Sequence, residues 1–83
     1  MRVSVEISLY PLTDDFIPPI DDFIQRLNTH SELTVKTNAM STQVFGEYTE
    51  VMRVMGEEMQ RTHQHGAKAA FVLKVLGSDL SSQ

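Results

Sequence analysis

The run Val3-Ser4-Val5-Glu6-Ile7-Ser8-Leu9-Tyr10 decides the fold class. Its odd positions carry Val, Val, Ile and Leu while Ser, Glu and Ser stand between them, a period of two that marks a strand with one buried face. Pro11 ends it. After the polar Thr13-Asp14-Asp15, the residues Phe16, Ile20, Phe23, Ile24 and Leu27 recur at helical spacing. Pro18 and Pro19 then belong to the first turn of that helix, where their missing N–H groups cost no intrahelical bond, and a nearby aspartate suits its positive end.

Further along, Asn28-Thr29-His30-Ser31 reads as a turn and Leu33 to Thr37 as a second alternating strand. Asn38-Ala39-Met40 is a tight connection to an antiparallel partner, Ser41 to Phe45, closed by Gly46. A second helix is expected from Glu47 to about His65. It has Tyr48, Val51, Met52, Met55 and Met59 on one face, with Glu57, Glu58 and Arg61 toward solvent. Gly66 is a natural stop. Ala67 to Leu76 is a mostly apolar last strand suited to a well-covered position. The order βαββαβ has one compact solution with right-handed crossovers. It is an α+β, ferredoxin-like sandwich, a four-stranded antiparallel sheet with strands one and three central and both helices on one face. The domain is expected over residues 1–77, with 78–83 a short polar C-terminal tail that frays. The uncovered sheet face, or an edge, invites pairing with another copy.

Composition removes several functions. At 83 residues the chain is one domain, small enough that self-association would usefully enlarge its core. The absence of cysteine excludes disulfides, thiolate metal sites and thiol nucleophiles, and fits a reducing compartment. A formal charge of −4 with seven Lys and Arg lacks the positive field that nucleic-acid binding requires. No stretch approaches the roughly 20 apolar residues of a membrane span, and the N-terminus has no secretory pattern. A cytoplasmic protein without membrane insertion is expected.

Enzymatic chemistry finds no support. An acylphosphatase-like cradle needs a cationic loop after strand one, whereas Pro11-Leu12-Thr13-Asp14-Asp15 is acidic. An RNA-recognition surface needs exposed aromatics with basic neighbours, and strand three offers only Phe45. His63 and His65 on a helix point about 200° apart and cannot share one ion. Met52, Met55 and Met59 share a stripe with Val51 and read as adaptable core filling, not soft-metal ligands. The adjacent carboxylates Asp14-Asp15 and Asp21-Asp22 flank a helix start and read as capping and solvation. What remains is a set of neutral donors and acceptors: Ser4, Glu6 and Ser8 with Tyr10 on strand one, and Thr37, Asn38, Ser41, Thr42 and Gln43 at the hairpin. Such a set is either an ordinary exposed sheet face and turn, or a means of fixing a flat heteroaromatic molecule.

Two segments carry a family resemblance. Val5 to Phe16, containing Ile7-Ser8-Leu9-Tyr10-Pro11-Leu12-Thr13-Asp14-Asp15, and Val35 to Gly46, followed by Val51-Met52, resemble the YkoF-type family of thiamine and hydroxymethylpyrimidine-binding proteins. That family is built of ferredoxin-like units, and its named member carries two in tandem. The resemblance implies a homodimer, or a dimer of dimers, standing in for the pair. It also implies non-enzymatic binding of thiamine or its hydroxymethylpyrimidine moiety in vitamin salvage, transport or sensing, with the molecule a ligand and no cofactor or metal. By matching position, Ser8 and Thr42 are expected at the ligand, with Asn38, Ser41 and Tyr10 beside them. Hydroxyl and amide groups suit an aminopyrimidine. Glu6, Glu47 or the face of Tyr10 suits a thiazolium cation. Few basic residues favour the unphosphorylated vitamin. The alternative is a regulatory or dimerisation domain of the same fold, with another small-molecule ligand or none.

Overall fold

A computed structural model describes residues 1–15, 17–66 and 68–83. Phe16, assigned to the first helical stripe, and Ala67, assigned to the start of the last strand, lie outside the described residues. The elements are β1 (Arg2–Pro11), α1 (Ile17–Leu27), β2 (Thr34–Thr37), β3 (Thr42–Glu47), α2 (Tyr48–Gln64) and β4 (Ala69–Leu76). The sheet order is β2-β3-β1-β4 with every neighbouring pair antiparallel, the ferredoxin-like α+β arrangement expected from the element order.

Strand register shows how alternation becomes a core. Val3, Val5 and Ile7 stand opposite Gly46, Val44 and Thr42 on β3, and Val5, Ile7 and Leu9 opposite Val75, Leu73 and Phe71 on β4. Directly opposed residues share a face, so these positions form the layer under the helices. Val3, Val5, Ile7 and Val44 pack with Phe23 and Leu27 of α1 and with Val51, Val54 and Met55 of α2. Met55 is fully buried and Met59 packs against the cluster, as core filling requires. At Gly46 an added Cβ would lie 2.9 Å from a Leu33 methyl and 3.3 Å from one of Val51, so the absent side chain lets these residues close over β3.

Local structure follows the expected chemistry with three corrections. Pro18 and Pro19 do sit in the first turn of α1, and α2 stops at His65-Gly66, where Gly66 takes φ +86°. The first correction is β4, which is an edge strand, not a well-covered one. Its helix-facing Phe71 and Leu73 are half-buried while Val72 and Leu76 are exposed. The second is the C-terminal tail, which folds back across the open face instead of fraying. Ser4 Oγ donates to the Ser78 carbonyl (2.6 Å) and accepts from the Leu80 amide (2.8 Å), Arg2 Nε donates to Asp79 (2.7 Å), and Lys36 reaches the Ser81 carbonyl. On that face Ser4 and Phe45 are consequently buried, Lys36 Nζ standing 5.3 Å from the Phe45 ring centre.

The third correction is Glu58, which points into the protein and is 0% exposed. It is the ion-pair centre joining the two helices. Arg26 Nε of α1 donates to Oε1 at 2.8 Å, His30 Nε2 lies 2.8 Å from Oε2, and Arg61 Nη1 donates to Oε2 at 3.1 Å. Arg26 Nη2 also donates to the Glu58 carbonyl and to Thr62 Oγ1, and its Nη1 reaches Asp22. The buried stripe of α2 is Val51, Val54, Met55, Glu58 and Thr62, turned away from the expected face through Tyr48 and Met52, and Tyr48 is exposed. A carboxylate suggests solvent by residue type, and the Arg26 guanidinium of α1 with the His30 ring of the following turn satisfies it in the interior.

Burial pushes the Glu58 carboxyl up, but hydrogen bonds from His30 and Arg26 and the charges of Arg61 and Arg26 outweigh it, so the group is held below its ordinary value of 4.5. A depressed carboxyl contributes stability that is present above the unfolded value and lost as pH falls through the folded one. Urea midpoints should therefore fall on acidification below pH 4.5, and more steeply in the wild type than in Glu58→Gln. Glu58→Ala, which strands Arg26 and His30, should cost about 3 kcal/mol, the lower end for a broken buried pair because both partners keep some solvent contact.

Candidate functional site

The ladder between β1 and β3 ends at Ile7 opposite Thr42, whereas that between β1 and β4 continues to Pro11 opposite Ala69. Beyond Ile7, β1 thus has a free edge on its β3 side, and the chain that would have filled it turns away through residues 38–41. The result is a notch in the sheet, a cleft of about 180 Å³ open at one end of the molecule. Ser8 and Tyr10 reach it from the open face of the sheet and Leu9 from the helix face. Ile20, Phe23 and Ile24 of α1 form its apolar wall, and residues 37–42 its other side.

All five residues carried over from the resemblance, Ser8, Tyr10, Asn38, Ser41 and Thr42, line this one cleft. Their roles differ. Asn38 builds the turn: its Oδ1 accepts from the Met40 amide at 2.7 Å and the Ser41 amide at 3.0 Å, and its own N–H donates to the Ser41 carbonyl. Thr42 is 5% exposed, on the helix face, with its hydroxyl 3.2 Å from that of Thr37. Ser41 Oγ donates to Glu6 Oε2 at 3.1 Å. The hydroxyls of Ser8 and Tyr10 have no side-chain hydrogen bond among the described residues, and Tyr10 is 54% exposed at the mouth.

Sequence reasoning missed the apolar wall. Ile20, Phe23 and Ile24 carried only a core signal, because the stripe does not show where a sheet stops beneath it. Met40, at the hairpin tip and 88% exposed, also borders the cleft. Of the acidic groups considered for a cation, Glu47 lies at the far end of β3, opposite Arg2 and 3.2 Å from the N-terminal ammonium. Glu6 stands behind Ser41 and outside the lining. No charged side chain lines the cleft among the described residues. Its volume falls below the roughly 300–1,000 Å³ of drug-sized sites and matches a single heteroaromatic ring. A larger groove of about 300 Å³ runs under the tail on the open face, bordered by Glu6, Gln43, Lys74 and Leu80. Its one ion pair among the described residues, Glu6 with Lys74, is loose at 3.7 Å, and it lacks the free strand edge of the notch.

Comparison with known proteins gives a family. Residues 5–76, from within β1 through the end of β4, match the model of the thiamine-binding protein family. The chain belongs to that family. Membership agrees with the YkoF-type resemblance and with a thiamine-related binding role. Several solved structures share the fold. A Thermotoga maritima protein provisionally assigned to thiamine biosynthesis or salvage superposes with a TM-score of 0.84 at 23% identity, covering 94% of this chain and 85% of that one. A Streptococcus pneumoniae protein gives 0.86 at 26%, covering 99% and 92%. A Methanocaldococcus jannascii protein gives 0.80 at 22%, covering 95% and 82%. No curated protein matches the chain in sequence. Among the described residues no helix is long and apolar enough to cross a membrane, and no group of three or more metal-ligating side chains gathers.

The division of roles has a stability consequence. Thr42→Val should lower the unfolding free energy by about 1 kcal/mol through loss of the Thr37 bond. Ser8→Ala, which breaks no internal bond, should leave the urea transition unchanged.

Proposed function

We propose that the notch binds thiamine or its hydroxymethylpyrimidine moiety, and that the chain is a non-enzymatic, cytoplasmic binding protein serving salvage, transport or sensing of the vitamin. The observation that carries this reading is the gathering of Ser8, Tyr10, Asn38, Ser41 and Thr42 around one uncharged cleft in a chain of the thiamine-binding protein family. An aminopyrimidine ring matches the volume, the apolar wall suits its faces, and the hydroxyl and amide groups suit its edge. A second, cationic ring would lie toward the mouth, against Tyr10, whose face attracts positive charge. Phosphate would find neither Lys nor Arg in the lining. The ligand is cargo or signal, since no nucleophile, base and orienting group come together in the cleft.

Self-association into a homodimer or dimer of dimers is part of the proposal. The edge strand β4 leaves Val72 58% and Leu76 47% exposed on an otherwise small domain. Sedimentation should show an assembly larger than one chain, shifted toward monomer by Val72→Lys.

Calorimetry should give one site per chain with thiamine or hydroxymethylpyrimidine and weaker binding of thiamine diphosphate. Absence of heat with both unphosphorylated ligands at millimolar concentration would sink the reading. Ser8→Ala should weaken binding by about 0.5–1.5 kcal/mol, the net value of one hydrogen bond. Asn38→Asp keeps the oxygen that ties the turn and removes the amide donor, so it should weaken binding while leaving the fold intact.

A further inference from the structure

We infer that Glu6 is a positioning residue of the notch, setting the polarity with which the cleft reads a ring edge. The inference rests on the reading that the notch holds an aminopyrimidine. An ionised carboxylate has no proton to give, so in the Ser41–Glu6 contact at 3.1 Å the hydroxyl must be the donor. Lys74 Nζ lies 3.7 Å from the other carboxylate oxygen, and Lys74 stands directly opposite Glu6 across the β1–β4 ladder. With its proton committed to Glu6, Ser41 Oγ offers the cleft lone pairs alone.

The rest of the hairpin is equally committed. Asn38 Oδ1 already accepts two backbone amides, which leaves its Nδ2 as the group available to a ligand. Thr37 and Thr42 bond one another. The 38–41 turn therefore presents a donor, Asn38 Nδ2, and a fixed acceptor, Ser41 Oγ. An aminopyrimidine edge is the complement of that pair, a ring nitrogen that accepts beside an amino group that donates. The same ring with a carbonyl in place of the amino group reverses both, bringing an acceptor to Ser41 and a ring N–H to Asn38. Glu6 does not line the cleft and acts through Ser41.

The test is titration of the full chain with thiamine and with its oxo analogue, in which the ring amino group is replaced by oxygen. The wild type should prefer thiamine by at least about tenfold, a modest value for a site built on a hydrogen-bonding edge. Glu6→Ala frees the Ser41 proton to turn toward the ligand, and Ser41→Ala removes the acceptor. Each should cut the ratio by about threefold or more, with Asn38 Nδ2 keeping part of the preference, because specificity is the difference between the two affinities. A purely structural role for Glu6 would lower both affinities together and keep the ratio, which overturns the inference, as does a wild type that binds both ligands equally. A wild type that binds neither removes the functional reading and the inference with it, a result distinguishable from thiamine binding without discrimination. Ser41→Ala leaves the turn's backbone bonds in place, so the ratio can be read even if Glu6→Ala is poorly folded.

Discussion

The constraint on which the structure turns is that β1 outruns its neighbour. At ten residues it is central, flanked by a β3 of six and a β4 of eight, and its pairing with β3 stops at Ile7. Up to that point alternation does what it does in any sheet with one covered face, sending Val3, Val5 and Ile7 into the core. Past it, the same alternation acts on an unpaired edge. Ser8 and Tyr10, the next outward positions, face a gap that the hairpin has left. Core and cleft are thus consecutive segments of one strand, separated by the position at which a partner ends.

A notch of this kind has a floor only if the helix above it is held in place. The apolar wall belongs to α1, in which Phe23 and Leu27 are buried, Ile20 and Ile24 half-buried, and much of the remaining described surface exposed. Its fixation comes from Glu58. Arg26 and Arg61 pair with this carboxylate and the His30 ring nitrogen contacts it, Arg26 and His30 coming from α1 and the turn that follows it. Phe23 is tied into the same region, packing 5.1 Å from Phe71 with the Arg26 guanidinium 5.8 Å above its ring. The polar node between the helices therefore bears on the geometry of a cleft it never touches, since Arg26 and Phe23 lie within one turn of each other.

The difference between what the sequence disclosed and what it hid follows from the range of the forces involved. Helix and strand identities, the proline-started helix and the glycine stop are local matters, and periodicity exposes them. The five candidate residues were reached by matching position to a family, and they line one cleft. Three features were not legible. Glu58 was read as facing solvent, because the Arg26 and His30 groups that satisfy it arrive from 32 and 28 residues away. The tail is polar and serine-rich, and nothing local indicates that Ser4, 74 residues earlier, both donates to it and accepts from it. The exposure of β4 is set by sheet order, which places an apolar strand at an edge.

The same distinction separates residue types within the cleft. Asparagine, serine and threonine can each donate or accept, so from composition their contribution to recognition is undirected. Folding removes that freedom group by group, as the turn amides take Asn38 Oδ1, Glu6 takes the Ser41 proton, and Thr37 pairs with Thr42. In a cleft without charged walls no long-range field can orient a ligand, and affinity must come from ring contact and a few short hydrogen bonds, each worth about 0.5–1.5 kcal/mol net. Under that condition a mismatched edge is costly, because an unpaired donor or acceptor loses its water without compensation. On the proposed reading, discrimination among flat rings of similar size depends on which lone pairs and protons the fold has left uncommitted, and residues such as Glu6 behind the cleft wall would set them.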